Sequence, residues 1–145
     1  MTHSDKRAYF FKIDTTVKRV RNYLQKQLNQ EGIDLTVDQW VVLDHLYPSP
    51  GISQNDLAQA TAKDAPTTTR ILDILIKKGL IERQMAKLDR RKSMLFLTDA
   101  GKEMHTRAFP IVAEVRTKAW GRLSDEDFTE LVRIMDTIYG NLEIV

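Results

Sequence analysis

The fold is decided by the stretch SQNDLAQATAKDAPTTTRILDILIKKGLIERQMAKLDRRKSMLFLT, residues 53–98. Its first half predicts two helices. A short helix follows the polar cap at Ser53, and a second helix begins near Asp64 after a tight turn. Pro66 is compatible with this start because the N–H groups of a helix's first turn have no intrahelical partner. Gly79 ends the second helix.

The period of the apolar residues changes in the second half of this stretch. Residues 80–85 and 93–97 are short and rich in Leu, Ile, Met and Phe, and the polar residues 87–92 lie between them. We interpret the two segments as antiparallel strands joined by a basic loop. Two helices joined by a tight turn and followed by a basic hairpin make a winged helix-turn-helix.

Further helices flank this stretch. Apolar residues three or four positions apart predict an N-terminal helix that ends near Gly32. Thr36 and Gln39 have the form of a capping box, which predicts a helix running to Tyr47. Downstream of the hairpin, Pro110 should kink a long helix.

A last helix follows Ser124, which is a favoured capping residue. The predicted fold class is therefore mainly α (α+β), a winged helix-turn-helix with a two-stranded wing plus N- and C-terminal helices. We expect one domain over residues 1–145. Its DNA-binding lobe covers residues 36–98, and its dimerisation subdomain comprises residues 7–31 and 99–145.

Composition excludes several classes of site. The 145 residues include no Cys, so disulfides, thiolate metal sites and cysteine-based redox sensing are ruled out. His3, His45 and His105 are scattered, with no pair at helical spacing, so we predict no metal and no cofactor. We find no glycine loop for phosphates and no recognisable catalytic triad, and we therefore predict that the chain is not an enzyme.

No apolar run is long enough to cross a bilayer, and the polar N-terminus lacks a secretory apolar region. These features predict a cytoplasmic protein without a membrane partner. The charge is unevenly distributed: residues 53–98 contain nine basic and five acidic residues, a net charge of +4, whereas residues 124–145 contain one basic and six acidic residues, a net charge of −5. This asymmetry suggests that one end of the molecule meets a polyanion.

The first turns of the second helix in this stretch hold Thr67, Thr68, Thr69 and Arg70. A recognition helix reads base edges with residues near its N-terminus, and an arginine can bridge O6 and N7 of a guanine. Free N–H groups at this helix end also favour a phosphate. The alternative is that the threonines merely tolerate helix geometry, but three consecutive β-branched residues are a poor choice for helix formation. We predict that these four residues and Gln54 contact DNA.

The loop of the predicted hairpin is the second DNA-binding constellation. The narrow minor groove of A·T-rich DNA attracts an inserted arginine, and we assign that role to Arg91. Asp89 can hold the guanidinium in one pose by a bidentate pair. Phosphate contacts are assigned to Arg90, Lys87 and Lys92. An isolated basic turn is usually only solvated, but this one follows a Thr-and-Arg helix at the spacing of a wing.

Residues 57–83, 89–91 and 97–101 together resemble the MarR family of regulators, and the resemblance extends over nearly the whole chain. It implies a homodimer built from the first, fifth and sixth helices, which reads a near-palindromic operator in double-stranded DNA and most often represses. Carried over by position, it implies that Arg70 enters the major groove and Arg91 the minor groove.

The resemblance also implies that a small ligand, often an aromatic acid, releases the protein from DNA. The effector-binding candidates are Phe10, Trp40, His45 and Phe109. For Trp40 and Phe109 the favoured alternative is core packing, and for His45 it is a solvated side chain. A regulator without any ligand stays open.

The terminal helices carry long apolar stripes, such as residues 13–24 and 128–142, which support the dimer on physical grounds. The alternative is a monomeric helical subdomain. For the whole protein, the second hypothesis is a winged-helix protein-interaction module without specific DNA binding. Such a module would need neither the basic wing nor the hydroxyl-rich helix.

Overall fold

The computed structural model describes residues 3–49, 51–86 and 89–143, and the side chains of residues 8–49, 51–85 and 93–143. The described residues up to Val115 form one compact unit, and those from Arg116 onward form a second. The helices and strands in chain order are α1 (His3–Gln30), α2 (Val37–Leu46), β1 (Ile52–Ser53), α3 (Gln54–Ala60), α4 (Ala65–Lys77), β2 (Ile81–Ala86), β3 (Asp89–Leu97), α5 (Asp99–Trp120) and α6 (Asp125–Asn141).

Helix starts follow the capping residues that the sequence predicts. The Thr36 hydroxyl accepts a hydrogen bond from the Gln39 amide N–H, and the Gln39 side chain accepts one from the Thr36 N–H, both at 3.1 Å. This capping box opens α2. Ser53 caps α3, and Ser124 caps α6 as part of a second capping box. Each cap satisfies N–H groups that the helix itself leaves unpaired.

The wing differs from the predicted two-stranded hairpin in two respects. It has a third strand, because β1 pairs antiparallel with β3, Ile52 opposite Leu95, giving the order β1-β3-β2. This pairing satisfies backbone groups that an open edge of β3 would expose. In addition, β3 begins at Asp89, four residues before the predicted start, because a backbone ladder can continue through polar residues. A register shift lies between Met85 and Ala86.

The core of the first unit lies on the inner side of the helix-turn-helix. Leu57 of α3 and both Leu72 and Leu75 of α4 are fully buried, as their spacing predicts. Leu43 of α2 and Leu95 of β3 complete the same cluster. This packing fixes which side of α4 faces inward, and the opposite side is left for a partner.

The helices α5 and α6 follow the wing. Thr98 precedes α5, and its hydroxyl accepts a hydrogen bond from the Gly101 amide at 3.0 Å. The helix then continues through Pro110 to Trp120. In α6 no residue is buried, although its apolar residues recur at helical spacing. Among the described residues, no helix combines the length and the apolar character that crossing a bilayer requires.

Candidate nucleic-acid interface

The first turn of α4 is capped by an acidic side chain. Asp64 Oδ1 accepts a hydrogen bond from the Thr67 amide N–H at 2.8 Å. Hydrogen bonds from the Thr67 backbone and from its hydroxyl, together with the charge of Arg70, hold the pKa of Asp64 below its usual value. The carboxylate is therefore a stable anionic cap.

This cap changes the expectation that the helix start offers free N–H groups to a phosphate. The amides of Thr67 and Thr68 both bond to Asp64, and Pro66 has no N–H to offer. The expectation counted amides that the Asp64 cap and the Pro66 ring take away, so fewer N–H groups are open to a phosphate than the sequence suggested.

The four predicted residues of α4 point in different directions. Arg70 is exposed, and its guanidinium lies 3.5 Å from the Thr67 hydroxyl, one turn earlier on the same face. Thr68, in contrast, is only 1% exposed, and its hydroxyl donates to the Asp64 carbonyl at 2.9 Å. The structure thus corrects the prediction for Thr68, whose side chain belongs to the core and is not available to DNA.

Thr69 is linked to the predicted contact Gln54 across the two helices. Gln54 Nε2 donates to Thr69 Oγ1 at 2.8 Å. On its other side, Gln54 Oε1 accepts from the Arg83 guanidinium at 3.3 Å. Arg83 also pairs with Asp73 Oδ1 at 3.4 Å. We call these four residues the Arg83 network; it joins α3, α4 and β2.

Arg83 and Asp73 were not predicted from the sequence. Asp73 follows Thr69 by four residues, so a sequence argument could have placed both on one face of α4. No local sequence pattern could have placed Arg83 beside Thr69 and Asp73, because Arg83 lies on the wing, in β2. The bases of the wing tip, Lys87, Arg90, Arg91 and Lys92, together with Asp89, have side chains outside the described residues. Their assignments stay predictions.

The effector candidates fall into different environments. Trp40 is 2% exposed and part of the core, which removes it as an accessible ligand contact and confirms the packing alternative. His45 Nδ1 lies 2.9 Å from the Val41 carbonyl oxygen of its own helix. Phe10 and Phe109 are exposed. The small-molecule effector itself stays a prediction.

A buried histidine that the sequence did not single out lies between these aromatic residues. The His105 ring stacks on Tyr47 with a centroid distance of 3.9 Å, and it lies 4.9 Å from Trp40 and 5.9 Å from Phe109. Its Nε2 is 2.9 Å from Asp44 Oδ1. These contacts hold α2 against α5. Within the described part of the chain, no three His, Asp or Glu side chains are grouped as metal ligands.

The fold and the exposed start of α4 define a winged helix-turn-helix protein. The model of the MarR family matches residues 33–92. The transcriptional regulator HosA of Escherichia coli O157:H7 is 33% identical over 105 residues, which cover 70% of this chain and 78% of that protein. The chain belongs to the MarR family and is a transcriptional regulator.

Solved structures agree with this assignment. The MepR–DNA complex of S. aureus matches with a TM-score of 0.80 and 26% identity, covering 98% of this chain and 99% of that chain. Sco3205 of Streptomyces coelicolor, a MarR family regulator in complex with DNA, matches with a TM-score of 0.89 at 20% identity, covering 99% of this chain and 91% of that chain. The second likeness concerns the fold alone.

Proposed function

We propose that the chain forms a homodimer that binds a near-palindromic operator in double-stranded DNA and represses transcription. The observation that carries the proposal is the outer face of α4. There Arg70 and Thr67 lie one turn apart, near the start of a helix whose inner face is committed to the core. Residues in this position of a helix-turn-helix reach base edges in the major groove. The MepR complex with DNA supports the proposal by analogy.

The wing supplies the second half of the proposed contact. Arg91 enters the minor groove, Asp89 orients it, and Arg90, Lys87 and Lys92 contact phosphates. Support comes from the backbone, because β2 and β3 are paired as far as Ala86 and Asp89. An arginine at the tip of a hairpin suits a narrow and strongly negative minor groove.

The proposed dimer is supported by apolar surface that a single chain leaves in water. In α6, Phe128, Leu131, Tyr139 and Leu142 are all exposed, and no residue of the helix is buried. In α1, Tyr9, Phe10 and Phe11 are exposed as well. Contiguous exposed apolar stripes mark association surfaces. A second copy of the chain covers them in our proposal, and its twofold symmetry sets two α4 helices about 34 Å apart on successive major grooves.

The DNA-binding part is tested by selecting bound fragments from random duplexes with purified protein. We expect an enriched sequence with two inverted half-sites. Fluorescence anisotropy on that duplex should then show binding that weakens as salt is added. The logarithm of the association constant should fall with the logarithm of the salt concentration, with a slope of about −0.9 per phosphate neutralised. No enrichment over random competitor at low salt would refute DNA binding and favour the protein-interaction module.

The role of Arg70 is tested with Arg70→Met and the matched control Arg107→Met, which removes the same charge from an exposed position on α5. Arg70→Met should relax discrimination at one base pair per half-site at a cost of about 1–3 kcal/mol. The control should retain it. If both variants lost affinity equally on every duplex, the arginine would act through charge alone and the base-reading role would be wrong.

The dimer is tested with Leu131→Glu, which places a charge in the apolar stripe of α6. The control Thr137→Glu adds the same charge on the polar side of that helix. Light scattering should give twice the 16.8 kDa of one chain for the wild type and the control, and a lower mass for Leu131→Glu. A wild-type protein that is monomeric at micromolar concentration would refute the dimer. The proposal assigns the chain no catalytic step and locates it in the cytoplasm with its DNA.

A further inference from the structure

We propose that Arg83 and Gln54 set the direction of the hydrogen bond at Thr69, so that the Thr69 hydroxyl keeps its hydrogen free to donate to an acceptor on a base. This inference rests on the proposed DNA binding and deepens it. Gln54 and Arg83 are positioning residues here, because they act through the Thr69 hydroxyl.

The Gln54 side-chain amide could face either way if no partner fixed it. A guanidinium has only donors, so the Arg83 group 3.3 Å away must face the amide oxygen. Asp73 holds that guanidinium in place from α4. The amide nitrogen of Gln54 is thereby turned toward Thr69 Oγ1, at 2.8 Å.

Because the Thr69 hydroxyl accepts a hydrogen bond from Gln54, its own hydrogen is left to donate elsewhere. Threonines in helices usually donate to the carbonyl four residues earlier. Such bonds are made in this protein by Thr15, Thr61, Thr68, Thr106, Thr129 and Thr137. Among the contacts of the described residues, Thr69 makes no bond of this kind.

Thr69 is partly exposed and precedes Arg70, on the helix face that we propose enters the major groove. A hydroxyl whose hydrogen is free to donate suits the acceptors of that groove, which are N7 and O6 of guanine, N7 of adenine and O4 of thymine. The Arg83 network therefore makes the Thr69 hydrogen available to such an acceptor.

We call the chain of hydrogen bonds from Arg83 through Gln54 to Thr69 the relay. Gln54→Glu tests the relay because it preserves the shape of the side chain and reverses the direction of its hydrogen bond with Thr69. A carboxylate only accepts, so the Thr69 hydrogen turns to it and is lost to DNA. Asn55→Asp is the matched control, since it makes the same exchange at the next, exposed position of α3. Both variants add one negative charge and should lose overall affinity by a similar factor.

The measurement is fluorescence anisotropy on the selected duplex and on a set in which each base pair is replaced in turn. At the base pair that Thr69 reads, we expect the wild type and Asn55→Asp to discriminate by about tenfold. Gln54→Glu should lose that preference and retain the others. Thr69→Val should lose the same preference, and adding Gln54→Glu to it should change nothing further at that base pair.

A second pair of variants approaches the relay through Arg83, so that an unfolded Gln54→Glu protein would not end the test. Arg83→Met frees the amide to turn and should reduce the discrimination to about threefold. Arg83→Lys keeps a donor toward the amide oxygen and should restore it. Thermal unfolding of every variant checks that its fold is intact.

Three results would overturn the inference. If Gln54→Glu retained the full base preference, the relay would be wrong while the proposed function stood. If Arg83→Met weakened all duplexes alike and lowered the salt slope by about 0.9, Arg83 would be a phosphate contact instead. If the wild-type protein preferred no duplex at all, the relay and the proposed function would fall together.

Discussion

Gly101 lies where the first turn of α5 meets the start of the wing, and it leaves no room for a side chain. A Cβ at this position would lie 2.0 Å from the carbonyl oxygen of Leu80 and 3.0 Å from its carbonyl carbon. The obstacle is backbone, which cannot rotate away as the end of a side chain can. Gly101→Ala would force α5 and Leu80 apart by about 1 Å, since non-bonded carbon and oxygen atoms rarely approach within about 3 Å.

The same carbonyl accepts a hydrogen bond from the Thr98 amide at 3.1 Å, and the Thr98 hydroxyl donates to the Gly79 carbonyl at 2.6 Å. A displacement of that size strains both bonds. We take about 1–3 kcal/mol for the overpacking and about 1 kcal/mol for a weakened hydrogen bond. The higher helix propensity of alanine offsets about 1 kcal/mol of this loss in stability. The expected net loss in the free energy of unfolding is about 2 kcal/mol.

Urea unfolding followed by circular dichroism measures this loss, with all proteins at one chain concentration because a dimer's stability depends on it. Gly140→Ala is the matched control: Gly140 lies within α6, and a Cβ there would meet nothing within 4 Å. That variant should gain up to about 0.5 kcal/mol. A Gly101→Ala protein at least as stable as the wild type would refute the reasoning from this close contact.

Three further changes have defined outcomes. Burial alone would raise the pKa of Asp38, but hydrogen bonds from Lys63 and Arg21 outweigh it and hold the pKa below 3.8. The carboxylate therefore stabilises the fold at pH values above 3.8. In urea unfolding the wild type should have a higher free energy of unfolding than Asp38→Asn there, and this difference should shrink as the pH falls below 3.8. A difference that does not change with pH would contradict the ion pairs of Asp38 with Arg21 and Lys63. Ala62 has a φ of 53° in the turn between α3 and α4, so Ala62→Gly should raise the free energy of unfolding by up to about 1 kcal/mol, and a loss would argue against strain there. Leu57→Ala empties a fully buried position and should cost about 2–5 kcal/mol in the same assay, whereas a cost below 1 kcal/mol would mean that the site collapses.

The sequence predicted the helix starts well because a cap is a local interaction. Thr36 and Gln39 are three residues apart, and so are Ser124 and Asp127, and each pair bonds as its spacing requires. The strands were predicted less well. The pairing of Ile52 with Leu95 joins residues far apart in the chain, and no local pattern indicates it.

The candidate site divides in the same way. Residue type and position were enough to select Thr67, Thr69 and Arg70 for α4. They did not separate Thr68, whose side chain turns inward because each successive residue of an α-helix is rotated about the helix axis by roughly 100°. The burial of His105 against Asp44, 61 positions away, was likewise invisible in the sequence.

The order of amino acids by itself determined the family, the succession of helices and wing, and the basic residues available for DNA. These features can be read from periodicity, from caps and from composition, which involve residues close together in the chain or no contacts at all. Only the tertiary structure decided which polar groups meet. The Arg83 network joins residues 54, 69, 73 and 83, and hydrogen bonds near 3 Å demand a placement that only the packed core under α3, α4 and β2 provides.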